Sequence, residues 1–172
     1  MKILFWNFHG LGNPPTVKAL RHFLMTKKTP VFVIAERRMK ISSWKAFKWS
    51  LIGYSLVSQH VNEKGARDLW VLNHESVIFQ SYISHQQGIT VELVMQGVSL
   101  VVSFVYASNS YLKRRELLQE FLGFSKQIAH SWMVLGDFNV VIRPEEKTCE
   151  NFNKLVASDF ASYIDQCKLV EV

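Results

Sequence analysis

Residues 134–139 read Val-Leu-Gly-Asp-Phe-Asn, and the fold turns on how that stretch is read. A short apolar run, Trp132-Met133-Val134-Leu135, passes through Gly136 into an acid, Asp137, and an amide, Asn139, two positions apart. Side chains alternate along an extended segment, so Asp137 and Asn139 share a face at the mouth of a buried strand. A carboxylate beside a carboxamide suits a phosphate site. The first holds a hard cation or moves a proton, and the second donates hydrogen bonds to a phosphate oxygen. A strand that simply closes in an Asp/Asn turn accounts for the same six residues. Taken alone, the stretch leaves both readings open.

Three further runs share its design. Ile3-Leu4-Phe5-Trp6 ends in Asn7, Val31-Phe32-Val33-Ile34-Ala35 ends in Glu36, and Val101-Val102-Ser103-Phe104-Val105 ends in Tyr106 with Asn109 close behind. Each polar end is unremarkable singly. Together they describe a site assembled at one edge of layered sheets.

Composition sets the class. At 172 residues and 48% hydrophobic content, the chain has material for a single globular domain with a substantial core. No apolar run approaches the roughly 18 residues of a membrane span, and Met1-Lys2 leads directly into a strand rather than into a signal peptide. Two cysteines, Cys149 and Cys167, form neither a disulfide framework nor a zinc-ligand pattern. They read as reduced thiols of an intracellular protein, nuclear or cytoplasmic. The net charge of +6 is compatible with nucleic acid. Its denser clusters are Lys27-Lys28, Arg37-Arg38-Met39-Lys40 and Lys113-Arg114-Arg115. The second continues into Trp44, Lys45, Phe47, Lys48 and Trp49, a mixture that suits a strand-gripping surface or a solvated segment with inward aromatics.

Local signals alternate along the chain. Asn13 and Pro14 open a helix whose stripe is Val17, Leu20, Phe23 and Leu24, and Pro30 closes it. Strands are expected near 31–35, 54–58, 69–72, 77–83, 89–95 and 98–106, the last two forming a hairpin through Gln96-Gly97. Ser110 caps a second helix with Leu117, Leu118, Phe121, Leu122 and Ile128 inward. A last helix near 153–167 carries Leu155, Val156, Phe160 and Ile164. Strands interspersed with helices at these intervals predict an α/β protein.

These motifs, in this order, resemble the exonuclease–endonuclease–phosphatase (DNase I-like) superfamily, and within it the endonuclease domain of plant LINE-type retrotransposons. The residues that carry the likeness are Lys2-Ile3-Leu4-Phe5-Trp6-Asn7 with Gly10-Leu11-Gly12-Asn13, then Glu36, Tyr106-Ala107-Ser108-Asn109 with Arg114-Arg115-Glu116-Leu117, and Gly136-Asp137-Phe138-Asn139. The resemblance implies two β-sheets packed face to face, flanked by helices. It also implies a Mg²⁺-dependent phosphodiesterase acting on DNA or another phosphodiester. Glu36 and Asn7 would serve the metal, and Asp137, Asn139 and Tyr106 would be catalytic. Asn7, Asn109, Arg37 and Arg38 would contact phosphate or substrate.

Members of that family also carry a Ser-Asp-His motif near their end, and nothing matching it occurs in these 172 residues. The sequence therefore reads as a single domain, 1–172, incomplete at its C-terminus. That reading leaves the enzyme assignment open between a weak or inactive phosphodiesterase and a non-catalytic fragment acting through nucleic acid or protein. An open sheet edge would invite self-association or a protein partner.

Overall fold

The computed structural model describes residues 2–7, 14–35, 53–61, 68–146 and 152–171. They form two compact units, residues 1–106 with 130–136 and residues 107–129 with 137–172. The architecture is α/β, two mixed sheets with helices, as the sequence leads one to expect.

The first unit contains β1 (Ile3–Asn7), α1 (Pro14–Lys27), β2 (Val31–Ala35), β3 (Tyr54–Val61), β4 (Asp68–His74), β5 (Ile78–His85), β6 (Gly88–Met95), β7 (Val98–Tyr106) and nearly all of β8 (Trp132–Asp137). One sheet runs β1-β2-β4-β3 and the other β5-β6-β7-β8. Strand β1 is parallel to β2, with Ile3 opposite Val31 and Asn7 opposite Ala35. Strand β8 is parallel to β7: the Val101 N–H donates to the Ser131 carbonyl at 3.0 Å, and six residues on the Ala107 N–H donates to the Asp137 carbonyl at 2.8 Å. Each sheet therefore has a parallel strand at one edge, reached through a helical crossover.

Strand β2 is buried at every position, which is why its sequence is a continuous apolar run rather than an alternation. Its odd residues, Val31, Val33 and Ala35, join Leu69 and Val71 against Ile89, Val91, Leu93, Val102 and Phe104 of the other sheet. Its even residues, Phe32 and Ile34, pack with Leu20 and Leu24 of α1 and with Trp70 and Leu72. Tyr54 completes this second layer and donates its hydroxyl to the Thr29 carbonyl at 2.6 Å. The β6–β7 turn is the expected Gln96-Gly97 pair, with φ of 55° and 78°, the double left-handed geometry that matches strand twist.

The second unit contains α2 (Tyr111–Ser125), a short 3₁₀ turn at Pro144–Glu146 and α3 (Lys154–Gln166). Leu118, Phe160 and Tyr163 make its core, with Phe138, Val140 and Ile142 packed against them. Asn153 caps α3 by accepting from the Leu155 and Val156 N–H groups. Two local expectations change. Helix α2 ends at Ser125, so Ile128 lies beyond it, and Leu155 stands 81% exposed on the outer face of α3. Ser110 occupies the N-cap of α2 without a side-chain capping bond. Asn13 lies outside the described residues. No described helix is long and apolar enough to cross a membrane.

Candidate active site

The Gly136-Asp137-Phe138-Asn139 segment closes its strand in a locked polar turn, one of the two readings its sequence leaves open. The Asp137 carboxylate accepts the Asn139 backbone N–H at Oδ1, 2.9 Å away. Asn139 sits at φ 50°, a left-handed conformation that asparagine tolerates better than other non-glycine residues. That geometry turns its side chain back, and Nδ2 donates to the Ala107 carbonyl at 2.6 Å. Ala107 is thus held twice, its N–H by the Asp137 carbonyl and its carbonyl by Asn139. One of the two amide hydrogens of Asn139 serves this bond, and the second remains the donor available for a phosphate oxygen.

The neighbouring loop is pinned from α2. Arg114 donates Nη1 to the Ser108 carbonyl at 2.9 Å, and the Ser108 hydroxyl accepts the Ser110 N–H at 3.1 Å. Burial pushes the Arg114 guanidinium below its ordinary pKa, although guanidinium remains protonated throughout the working range. Asn109 is exposed on this loop. Arg115 faces Asp159 at 3.4 Å, and Asp159 also accepts the Tyr111 hydroxyl at 3.0 Å. The basic run 113–115 is therefore partly structural.

In the first unit, Tyr106 ends β7 half-buried, its N–H donating to the Gln87 carbonyl at 3.0 Å. Asn7 ends β1 opposite Ala35, the residue before Glu36. Glu36, Arg37 and Arg38 lie outside the described residues.

Three contributors escaped sequence reasoning. A Cβ built at Gly136 would overlap the Val105 carbonyl, so only glycine lets β8 lie this close to β7. Arg114 matched a family motif, but its grip on Ser108 carries no sequence signal. A buried polar chain crosses the second sheet: His85 Nε2 to the Thr90 hydroxyl at 2.7 Å, Thr90 to the Ser103 hydroxyl at 2.7 Å, and the Trp132 indole N–H to Ser103 at 2.9 Å. Ser103 and Thr90 interrupt apolar strands, and that interruption was the available clue.

Among the described residues no three His, Cys, Asp or Glu side chains cluster as a metal site. The amide oxygen that Asn7 offers at the end of β1 is of the type a hard cation such as Mg²⁺ prefers.

No protein-family model and no curated protein matches the chain. Solved structures do. An AP endonuclease from Archaeoglobus fulgidus superposes with a TM-score of 0.73 at 16% identity, covering 96% of this chain and 70% of that one. The endonuclease domain of TRAS1, a telomere-specific non-LTR retrotransposon, gives 0.69 at 10% identity, with 96% and 69% covered. The 3′ phosphatase NExo from Neisseria, bound to product DNA hairpin, gives 0.64 at 18% identity, with 96% and 71% covered. TDP2 structures from Caenorhabditis elegans also match, and the chain spans 48–63% of their length. These neighbours share one architecture, and the chain has their DNase I-like fold, two mixed sheets with flanking helices.

Proposed function

We propose that this chain is a phosphodiester-hydrolysing domain of the endonuclease type, acting on DNA, with Asp137 as its central acid–base group. The observation that carries the reading is the lock between Asp137, Asn139 and Ala107. It fixes a carboxylate and an amide at the carboxyl end of a parallel strand pair, where open α/β sheets put their ligands. The other parallel pair ends with Asn7 opposite Ala35.

In this reading Asp137 takes a proton from the attacking water or returns one to the leaving oxygen, its rotation fixed by the Asn139 N–H. Asn139 donates its second amide hydrogen to a non-bridging phosphate oxygen. Tyr106 contacts the same phosphate, and Asn109, Arg37 and Arg38 contact the flanking backbone. Glu36 and Asn7 would hold Mg²⁺, which when bound supplies Lewis-acid stabilisation of phosphate charge. General acid–base groups contribute about 10²–10⁴-fold to such steps.

Incubation with supercoiled plasmid and Mg²⁺ tests the reading. The expected result is nicking, reduced to background by Asp137→Asn and by Glu36→Gln in chains that remain folded. Nicking unchanged in both variants would remove Asp137 from the chemistry.

A further inference from the structure

Helix α1 carries Lys18, Arg21, His22 and Lys27 and not a single acid, whereas α2 and α3 mix both signs. Lys28 follows directly, and Lys2 joins the same end of the helix, since Lys2 and Lys27 line one groove. Lys2, Lys18, Lys27 and Lys28 are exposed and Arg21 is partly so. No described carboxylate pairs with any of the five. Lys27 and Lys28 have an ordinary explanation, because the negative end of the helix dipole favours cations. Lys18 and Arg21 do not. That effect fades within the last turn, and both stand well before it.

We propose that this basic face of α1 is a docking surface for the phosphate backbone of nucleic acid, indifferent to sequence and separate from the candidate active site. The proposal is independent of the phosphodiester reading. From Lys18 to Lys28 the cations extend over about 15 Å of helix. A duplex carries one phosphate charge per about 1.7 Å of its axis, so this length faces several at once. Chemistry sets nucleic acid apart from other polyanions. A helix that binds an anionic membrane sinks its apolar face into lipid, and Leu20 and Leu24 of α1 are buried in the protein instead. An acidic protein partner needs apolar anchors, and Met25 is the one large apolar side chain exposed on α1. Phosphate contacts need no such anchor. Strand geometry sets the surface apart from the site. Lys2 lies just before β1 and Asn7 ends it, roughly 16 Å away at strand rise.

The test uses the full chain, in EDTA, with two short fluorescein-labelled DNA duplexes of unrelated sequence. Anisotropy over a series of salt concentrations should show equal binding of both. Lys18→Gln/Arg21→Gln/Lys28→Gln should weaken binding by about tenfold or more. It should also make the slope of log K against log salt shallower by about 2–3, as three lost phosphate contacts require. Lys126→Gln/Lys154→Gln/Lys168→Gln removes the same charge from exposed positions of the second unit and should change affinity by less than about threefold. In the wild-type chain, duplex should protect Lys18, Lys27 and Lys28 from acetylation, a reading that needs no variant. Absence of binding, equal losses in the two triple variants, or lysines left unprotected overturns the proposal. So does a strong preference for one duplex. Phosphatidylserine vesicles bound more tightly than DNA, and released by the α1 variant, would assign the face to a membrane and overturn it as well.

Discussion

Asn139 donates its side-chain amide to the Ala107 carbonyl at 2.6 Å, and this bond makes one unit of two segments that lie 32 residues apart. A residue that reads from sequence as a phosphate ligand is also the clasp of its own loop. The consequences can be separated by mutation.

Asn139→Ala removes the clasp and leaves the carbonyl of the fully buried Ala107 without that donor, a loss of about 1–3 kcal/mol. It also places alanine at φ 50°, which costs about 1–2 kcal/mol more. Asn139→Gly suffers only the first loss. Urea denaturation should therefore rank wild type above Asn139→Gly and Asn139→Ala lowest. Equal stability of all three would mean the bond does not hold in solution.

Two glycines predict opposite signs. Gly136→Ala drives a methyl into the Val105 carbonyl, and overpacking of that kind costs about 1–3 kcal/mol or more. Gly123 lies within α2 with no atom within 4 Å of an added Cβ, so Gly123→Ala should stabilise by roughly 0.5–1 kcal/mol. Thermal unfolding of the pair checks both.

The contrast shows what sequence could reveal. Strand β2 and the Gln96-Gly97 hairpin were legible because their signals are local: a continuous apolar run, and a turn dipeptide between strands. Asp137 and Asn139 were legible as a polar pair at a strand end. The bond to Ala107, the close approach that Gly136 permits and the hold of Arg114 on Ser108 were not, because each depends on the pairing of β7 with β8 or on the setting of a helix. Ile128 misled for the reverse reason. Its helical spacing continued past the residue at which the helix stops. The roles of Glu36, Arg37 and Arg38 still rest on sequence.

The buried hydroxyl chain should behave as one element. Ser103 is fully buried and bonds to both Thr90 and the Trp132 indole. Ser103→Ala removes one of the two partners of the Thr90 hydroxyl and a partner of the Trp132 indole N–H, a loss of about 1–3 kcal/mol. A double-mutant cycle with Thr90→Val should give strong coupling. Additive losses would show that the hydroxyls act separately.

Tyr54 sets an alkaline limit. Desolvation by burial raises its phenol above the ordinary value of 10.0. The folded state then holds the proton more tightly than the unfolded state. Its contribution is fully present below the unfolded pKa and is lost as pH rises through the folded one. Stability measured by denaturant should fall above about pH 10, and Tyr54→Phe should flatten that fall while lowering stability at neutral pH.

The central claim is that Asp137 and Asn139, locked to Ala107, form a phosphodiester site. Amide-resolved NMR of the ¹⁵N-labelled chain, titrated with Mg²⁺ and then with a short DNA duplex, tests it without requiring turnover. The account predicts that Mg²⁺ shifts the Asp137 signal. DNA should then shift the Asn139 side-chain amide and the backbone of 107–109, and Asp137→Asn should diminish both responses. Shifts confined to surface lysines and arginines, with these residues silent, would contradict it.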